Sequence, residues 1–216
     1  MIHLVLGGAR SGKSSFAEHW CLFQAKAQAQ QLSQPLTYVA TATAFDQEMR
    51  DRIKQHKTDR DKSWQLVECP LALSALITQC SGQQVMLVDC LTLWLNNLIY
   101  ALGENIDMAA AGQHLQVHFD QLVSTLLSTV KSKNLTIVFV ANEVGLGIIP
   151  LGASNRLYVD YAGWLNQAIA KIADKVTLVT AGIPLSLKDS VKDSPIDSFI
   201  DPLIDSGIGS VIASSK

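Results

Sequence analysis

Residues Gly7-Gly8-Ala9-Arg10-Ser11-Gly12-Lys13-Ser14 form a complete GxxxxGK[ST] run. The run follows a short apolar stretch and opens a helical pattern, the setting in which such a sequence holds a phosphate chain. Glycines let successive backbone N–H groups turn inward around phosphate oxygens, and the helix N-terminus adds the positive end of its dipole. Lys13 would reach the β- and γ-phosphates, and Ser14 would ligate Mg²⁺. An ordinary glycine-rich turn needs none of these fixed positions together. The run predicts a nucleoside triphosphate site.

A second signal is Val85-Met86-Leu87-Val88-Asp89, an apolar strand that ends in an acid. Many buried strands end this way. With a phosphate-binding loop upstream, however, Asp89 is placed to hold Mg²⁺ or polarise the attacking group. The segment 46–60 carries Arg52, His56 and Arg60 four residues apart, on one face of a helix that Phe45, Met49 and Ile53 would anchor. Flanking cations lower a histidine's pKa and keep it neutral, as a nucleophile must be. On spacing alone, a solvated charged helix is the better explanation of these residues, and spacing does not make His56 a catalyst. Asn142-Glu143-Val144-Gly145-Leu146-Gly147 follows another apolar strand, where one acid in a glycine-containing loop could position substrate or metal. Arg156, Asp160, Asn166 and Gln167 lie on the next amphipathic pattern, where solvent-facing polar positions are the plain reading.

The elements that must position these residues alternate along the chain. Strands are expected over 2–6, 36–40, 65–68, 85–89, 135–141 and 175–180, several of them apolar throughout, as strands covered on both faces are. Helical patterns are expected over 13–32, 46–60, 71–79, 91–102, 108–132 and 154–173. This alternation predicts one α/β domain, a mainly parallel P-loop NTPase-like sheet with helices on both faces, over residues 1–188. Residues 189–216 change composition toward Asp, Ser and Ile, with Pro202, Gly207 and Gly209 interrupting any helix, and read as an appendage.

Composition narrows the partners. Of 216 residues, 48% are hydrophobic and 17% charged, which excludes disorder, and the net charge of −2 offers no basic footprint for nucleic acid or an anionic membrane. The low charged share suits surfaces shared with other subunits. Cys21, Cys69, Cys80 and Cys90 show no CxxC spacing and read as reduced thiols of a cytoplasmic protein. No unbroken run of about 18 apolar residues suggests a membrane span, and the first residues lack the pattern of a signal peptide.

Taken in order, GGARSGKS, then ATATAFDQEMRDRIKQHKTDR-x3-W-x3-E, VDCLTLWLNNL, ANEVGLGIIP and R-x3-D-x2-G-x2-NQ-x2-A span residues 1–188. This series resembles the bifunctional adenosylcobinamide kinase/adenosylcobinamide-phosphate guanylyltransferase family of cobalamin biosynthesis. The resemblance implies that His56 is the histidine that becomes guanylylated, with Lys57, Thr58, Asp59, Arg60 and Glu68 contacting GTP around it. It implies nucleotide contacts from Thr41, Ala42 and Thr43, and places Asp89 beside the magnesium. Asp61 departs from the pattern, since a proline commonly follows the arginine there; the tail lies outside the resemblance.

The chemistry so implied has two steps. Adenosylcobinamide takes the γ-phosphate of ATP or GTP; then His56 takes GMP from GTP and passes it to adenosylcobinamide phosphate, giving adenosylcobinamide-GDP. Members of this family associate as ring-like homotrimers. Two other readings of the residues stand beside this one: a P-loop small-molecule kinase without guanylyl transfer, and a GTP-binding regulatory protein. The lack of an NKxD element weighs against the latter.

Overall fold

A computed structural model of the chain describes residues 1–27, 36–43, 47, 50, 63–103 and 107–190. The strands are β1 (Ile2–Gly7), β2 (Leu36–Ala40), β3 (Trp64–Glu68), β4 (Val85–Asp89), β5 (Thr136–Asn142), β6 (Lys175–Thr180) and β7 (Ile183–Asp189). They form a single sheet in the order β3-β2-β4-β5-β1-β6-β7. All neighbours pair in parallel except β6 and β7. The helices are α1 (Lys13–Ala27), α2 (Leu73–Gln79), α3 (Leu91–Ala101), α4 (Met108–Ser132) and α5 (Ala153–Ile172). Each strand expected from the sequence is present within one residue at either end. The expected helix over 46–60 lies outside the described residues save Gln47 and Arg50, which are helical and joined by an Arg50 Nε–Gln47 Oε1 hydrogen bond of 3.1 Å.

Chirality divides the helices between the two faces. A parallel crossover is right-handed, so connections that step one way along the sheet lie on one face and the opposite steps lie on the other. From β1 the chain steps past β5 and β4 to β2 through α1. From β3 onward it steps back through β4 and β5 to β6, through α2, α3, α4 and α5. Accordingly Phe16, Ala17, Trp20 and Cys21 of α1 pack on Val5, Tyr38, Leu87, Val138 and Val140. The other helices pack on Leu4, Val39, Met86, Val88, Ile137 and Phe139. Successive residues of each central strand thus face different layers, and both layers are apolar. On α4 the buried positions Ala111, Leu115, Phe119, Leu122, Leu126 and Val130 recur at helical spacing, and the Asp107 carboxylate caps the helix by accepting the Ala110 N–H at 3.0 Å.

One strand was not foreseen. β7 returns from β6 through Ala181 and Gly182, both at positive φ (52° and 80°), as a tight two-residue hairpin requires. Pro184 argues against a strand in the sequence, but β7 is the sheet edge, where a missing N–H costs no ladder bond. The packed unit therefore runs slightly past residue 188: β7 ends at Asp189, and the Ser190 N–H donates to the Asp174 carbonyl at 2.9 Å. The remaining tail, 191–216, lies outside the described residues.

Under α1 the sheet holds a buried histidine. His3 Nε2 lies 2.9 Å from Thr177 Oγ1, and the ring meets Trp20 edge-on with centroids 4.6 Å apart. Burial, helped by the neighbouring Lys175 charge, lowers the His3 pKa to about 3. The unfolded chain protonates this residue near 6.5, so between these values the unfolded state binds the extra proton. Stability attributable to His3 is complete above 6.5 and is lost as pH falls toward 3. Between pH 6.5 and 4.5 the loss amounts to about 2–3 kcal/mol. Urea unfolding of a His3→Gln chain is expected to show an acid limb flatter by this amount; an identical limb would refute it.

Candidate active site

The carboxyl ends of the parallel strands form one edge, and the crevice for a ligand opens there, between strands whose following helices leave on opposite faces. β1 and β5 are such a pair: α1 leaves one face, α5 the other, and Gly7 is in register with Asn142. The loop 8–12 sits at this crevice. A Cβ at Gly7 would meet Ser11 Oγ and the Val179 carbonyl, so only glycine fits. Gly12 has φ +91° and packs its Cα face against Gly182, while the Gly182 N–H donates to the Ser11 carbonyl at 2.9 Å. The β6–β7 hairpin thus buttresses the loop from below.

Within the loop, Gly8, Ala9, Arg10 and Gly12 are exposed, Ser14 is half-buried at the start of α1, and Lys13 is buried. The Lys13 ammonium folds back to donate to the Gly8 carbonyl at 3.1 Å, holding the charge over the cradle that a phosphate would enter. Arg10 takes a left-handed backbone, φ 58°, which turns the loop. Ser11 Oγ is buried with no hydrogen-bond partner. An orphaned buried hydroxyl in the loop, beside the Lys13 ammonium, fits an anionic ligand.

Asp89 closes β4 on the same edge, half-buried, and its Oδ2 accepts from the Tyr38 hydroxyl at 2.8 Å. Cross-strand register aligns Asp89 with Ala40 and Ala40 with Glu68, so the exposed carboxylate of Glu68 lies two strands further along the edge. A serine hydroxyl and a carboxylate are hard oxygen donors, the set that Mg²⁺ takes alongside phosphate oxygens and water. Ser14 and Asp89 fit that ion.

Thr41 is fully buried, and its hydroxyl is committed to the backbone of Cys90: it donates to the carbonyl and accepts from the N–H, each at 2.8 Å. Its side chain is therefore a brace. Asn97 of α3 completes that brace, donating to the Thr41 and Pro70 carbonyls at 2.7 and 3.0 Å. Ala42 and Thr43, half-buried, are the parts of this stretch that face outward. Asn97 and Tyr38 were not singled out from the sequence. A tyrosine inside an apolar strand and an asparagine on the buried stripe of a helix both demand partners, and that was the available signal.

Beside Asp89, Cys90 is buried and its thiol is pushed up to about 11, first by burial and then by the Asp89 charge, with the Lys13 charge opposing. That excludes it as a nucleophile near neutral pH. Thr92 Oγ1 lies 3.2 Å from Cys90 Sγ and accepts the Asn142 N–H, tying β4's loop to β5. The Tyr158 hydroxyl is pushed up to about 12 by burial and by Cys90, and bonds Thr92 from α5. Glu143 donates its N–H to the Gly7 carbonyl at 3.1 Å, and its Oε1 accepts the Gly145 N–H at 2.8 Å. One carboxylate oxygen is thus used to fold its own loop. Beyond it Leu146, Ile148, Ile149 and Leu151 are exposed.

The edge therefore brings together Gly7 to Ser14, Thr41 to Thr43, Glu68, Asp89 and Asn142 to Gly145. His56, Lys57, Thr58, Asp59 and Arg60 lie outside the described residues. Arg156 and Asp160 are exposed on α5, whereas Asn166 is buried with both side-chain polar atoms unpartnered, contrary to its expected solvent-facing position. None of the four cysteines is paired. Among the described residues no helix is long and apolar enough to cross a membrane.

Residues 3–187 match the family model described as cobinamide kinase / cobinamide phosphate guanyltransferase. The chain is 41% identical over 189 residues to the bifunctional adenosylcobalamin biosynthesis protein CobP of Pseudomonas aeruginosa, covering 87% of this chain and 98% of that one. It is similar also to the CobU proteins of Salmonella typhimurium and Escherichia coli, which bear the same bifunctional name. Identities there are 37% and 35%, across 87% of this chain and 100% of each relative. The phosphate-binding loop, its acidic neighbour and this match over nearly the whole sheet agree: the chain belongs to the cobinamide kinase / cobinamide phosphate guanyltransferase family.

Proposed function

We propose that this chain catalyses both reactions of its family, phosphorylating adenosylcobinamide with ATP or GTP and then converting the product to adenosylcobinamide-GDP with GTP. The observation that carries the reading is the juxtaposition of the Lys13 cradle and Asp89 on one edge, in a chain matched to the family over 3–187. In the kinase step the substrate hydroxyl attacks the γ-phosphorus, the bond to the β–γ bridging oxygen breaks, and the hydroxyl proton passes to solvent. Lys13 and the loop amides hold the charge that spreads over the phosphoryl oxygens, which is where most of the catalysis resides. Mg²⁺, held by Ser14 and Asp89, would supply further charge neutralisation.

In the transfer step an imidazole nitrogen of His56 attacks the α-phosphorus of GTP and pyrophosphate leaves. A phosphate oxygen of adenosylcobinamide phosphate then attacks the same phosphorus, the P–N bond breaks and His56 is restored. Lys57, Thr58, Asp59, Arg60 and Glu68 hold GTP around it, with further nucleotide contacts from Ala42 and Thr43. We place the enzyme in the cytoplasm as a homotrimer. The exposed Leu146, Ile148, Ile149 and Leu151 and the low charged share support subunit contacts. Light scattering on the eluting protein reads that state directly.

The test is product analysis with adenosylcobinamide, γ-labelled ATP and α-labelled GTP. Both labels should reach the corrinoid. Lys13→Ala is expected to slow γ-transfer roughly 10²–10³-fold, the loss typical of removing one group that stabilises transition-state charge. Label from the γ-position alone would mean a plain kinase; label from neither would overturn the assignment.

A further inference from the structure

Two histidines outside the active site converge on one point. His114 and His118 stand four residues apart on the outer side of α4, a spacing that stacks side chains along a helix face. Their Nε2 atoms are 3.1 Å apart, with ring centroids at 4.7 Å and planes inclined by 64°. His114 is exposed and His118 half-buried, its ring edge-on to Trp94 of α3 at 6.4 Å. Neither residue serves the nucleotide chemistry, and neither contributes to the apolar core.

An imidazole nitrogen binds a transition metal at about 2.0–2.1 Å, so two nitrogens on one ion at angles from 90° to tetrahedral lie about 2.9–3.4 Å apart. The observed separation falls inside that interval without any movement of the helix. We propose that His114 and His118 form a bidentate site for a borderline divalent transition metal such as Ni²⁺, Zn²⁺ or Cu²⁺. Metal-free, one ring donates its Nε2 proton to the other. On binding, that ring shifts its proton to Nδ1 through solvent, so both Nε2 lone pairs face the ion and no net proton is released.

Among the described residues no third His, Cys, Asp or Glu joins the pair, so water fills the remaining positions. Two imidazoles and water select against Mg²⁺, which prefers oxygen, and rank metals in the order Co²⁺ below Ni²⁺ below Cu²⁺. The site is therefore separate from the magnesium of the nucleotide edge. His3 is buried and cannot compete in the folded protein.

The experiment is calorimetric titration of the tag-free, full-length protein with Ni²⁺ in excess Mg²⁺, for the wild type, His114→Ala and His19→Ala. One Ni²⁺ per chain is expected in the wild type and in His19→Ala. In His114→Ala, an exposed position whose loss leaves the fold and the kinase rate unchanged, the affinity should drop roughly tenfold or more as one of two ligands goes. With Cu²⁺, electron paramagnetic resonance should show hyperfine coupling to two equivalent nitrogens, reduced to one in His114→Gln. Equal Ni²⁺ affinity in the wild type and His114→Ala, or no stoichiometric binding, would overturn the site.

Discussion

A chain carrying His56→Ala should retain no label from α-labelled GTP, whereas the wild-type chain should hold one GMP that survives alkali and is released by acid. The sign of that lability comes from the bond. In a phosphoramidate, acid protonates the imidazole and makes it a good leaving group, while hydroxide meets an anionic phosphorus and is repelled. His56 is the position the family resemblance names as the nucleophile, and Arg52 and Arg60 stand four residues to either side of it in the sequence. With γ-labelled GTP no label should stay on either chain, because pyrophosphate leaves. The variant should keep its γ-transfer to adenosylcobinamide, since Lys13, Ser14 and Asp89 belong to a different group of residues. Mass mapping of the adduct is the measurement; α-label persisting in His56→Ala would assign the nucleophile elsewhere.

The largest stability effect is expected from Asp189. The ammonium of Lys175 is almost wholly buried beneath the sheet edge, 5% exposed, and the Asp189 carboxylate lies 3.0 Å from it. The Asp189 side chain is itself 23% exposed, so its removal leaves the Lys175 charge without a counter-ion but with some access to water, which costs about 2–3 kcal/mol. Asp189→Ala should therefore lower the unfolding free energy in urea by this amount. Replacing both residues, Lys175→Met with Asp189→Ala, should recover most of it, because the uncompensated charge is gone. A loss under about 1 kcal/mol for Asp189→Ala would mean that water reaches Lys175 freely.

The parts of this molecule that were legible in the sequence are those fixed by local chemistry. A strand apolar on both sides announces coverage by two layers, and GGARSGKS can hardly be anything but a phosphate cradle. Asp89 was legible only because that cradle was already known. What escaped depends on partners distant in sequence. Nothing near Tyr38 says that its hydroxyl meets Asp89, fifty-one residues on, and nothing near Asn97 says that it ties down Thr41 and Pro70. Pro184 concealed β7 because propensity cannot tell an edge strand from a central one. The assignment of His56 drew on the resemblance, since on spacing alone its cationic neighbours suit a solvated helix better.

The position of β1 in the sheet also sets the order in which the enzyme can assemble. β1 is made first, yet its two neighbours are β5 and β6, whose pairing residues begin at Ile137 and Lys175. At a synthesis rate of 5–20 residues per second, the ribosome works for on the order of ten seconds or more between β1 and β6. Until β5 emerges Ile2, Leu4 and Val5 have no strand of the sheet to pair with, and until the β6–β7 hairpin follows the glycine loop has no Gly182 to lean on. Nucleotide affinity should thus wait for the last hairpin: a product truncated before Gly182 is expected to bind GTP more weakly than one that includes β7.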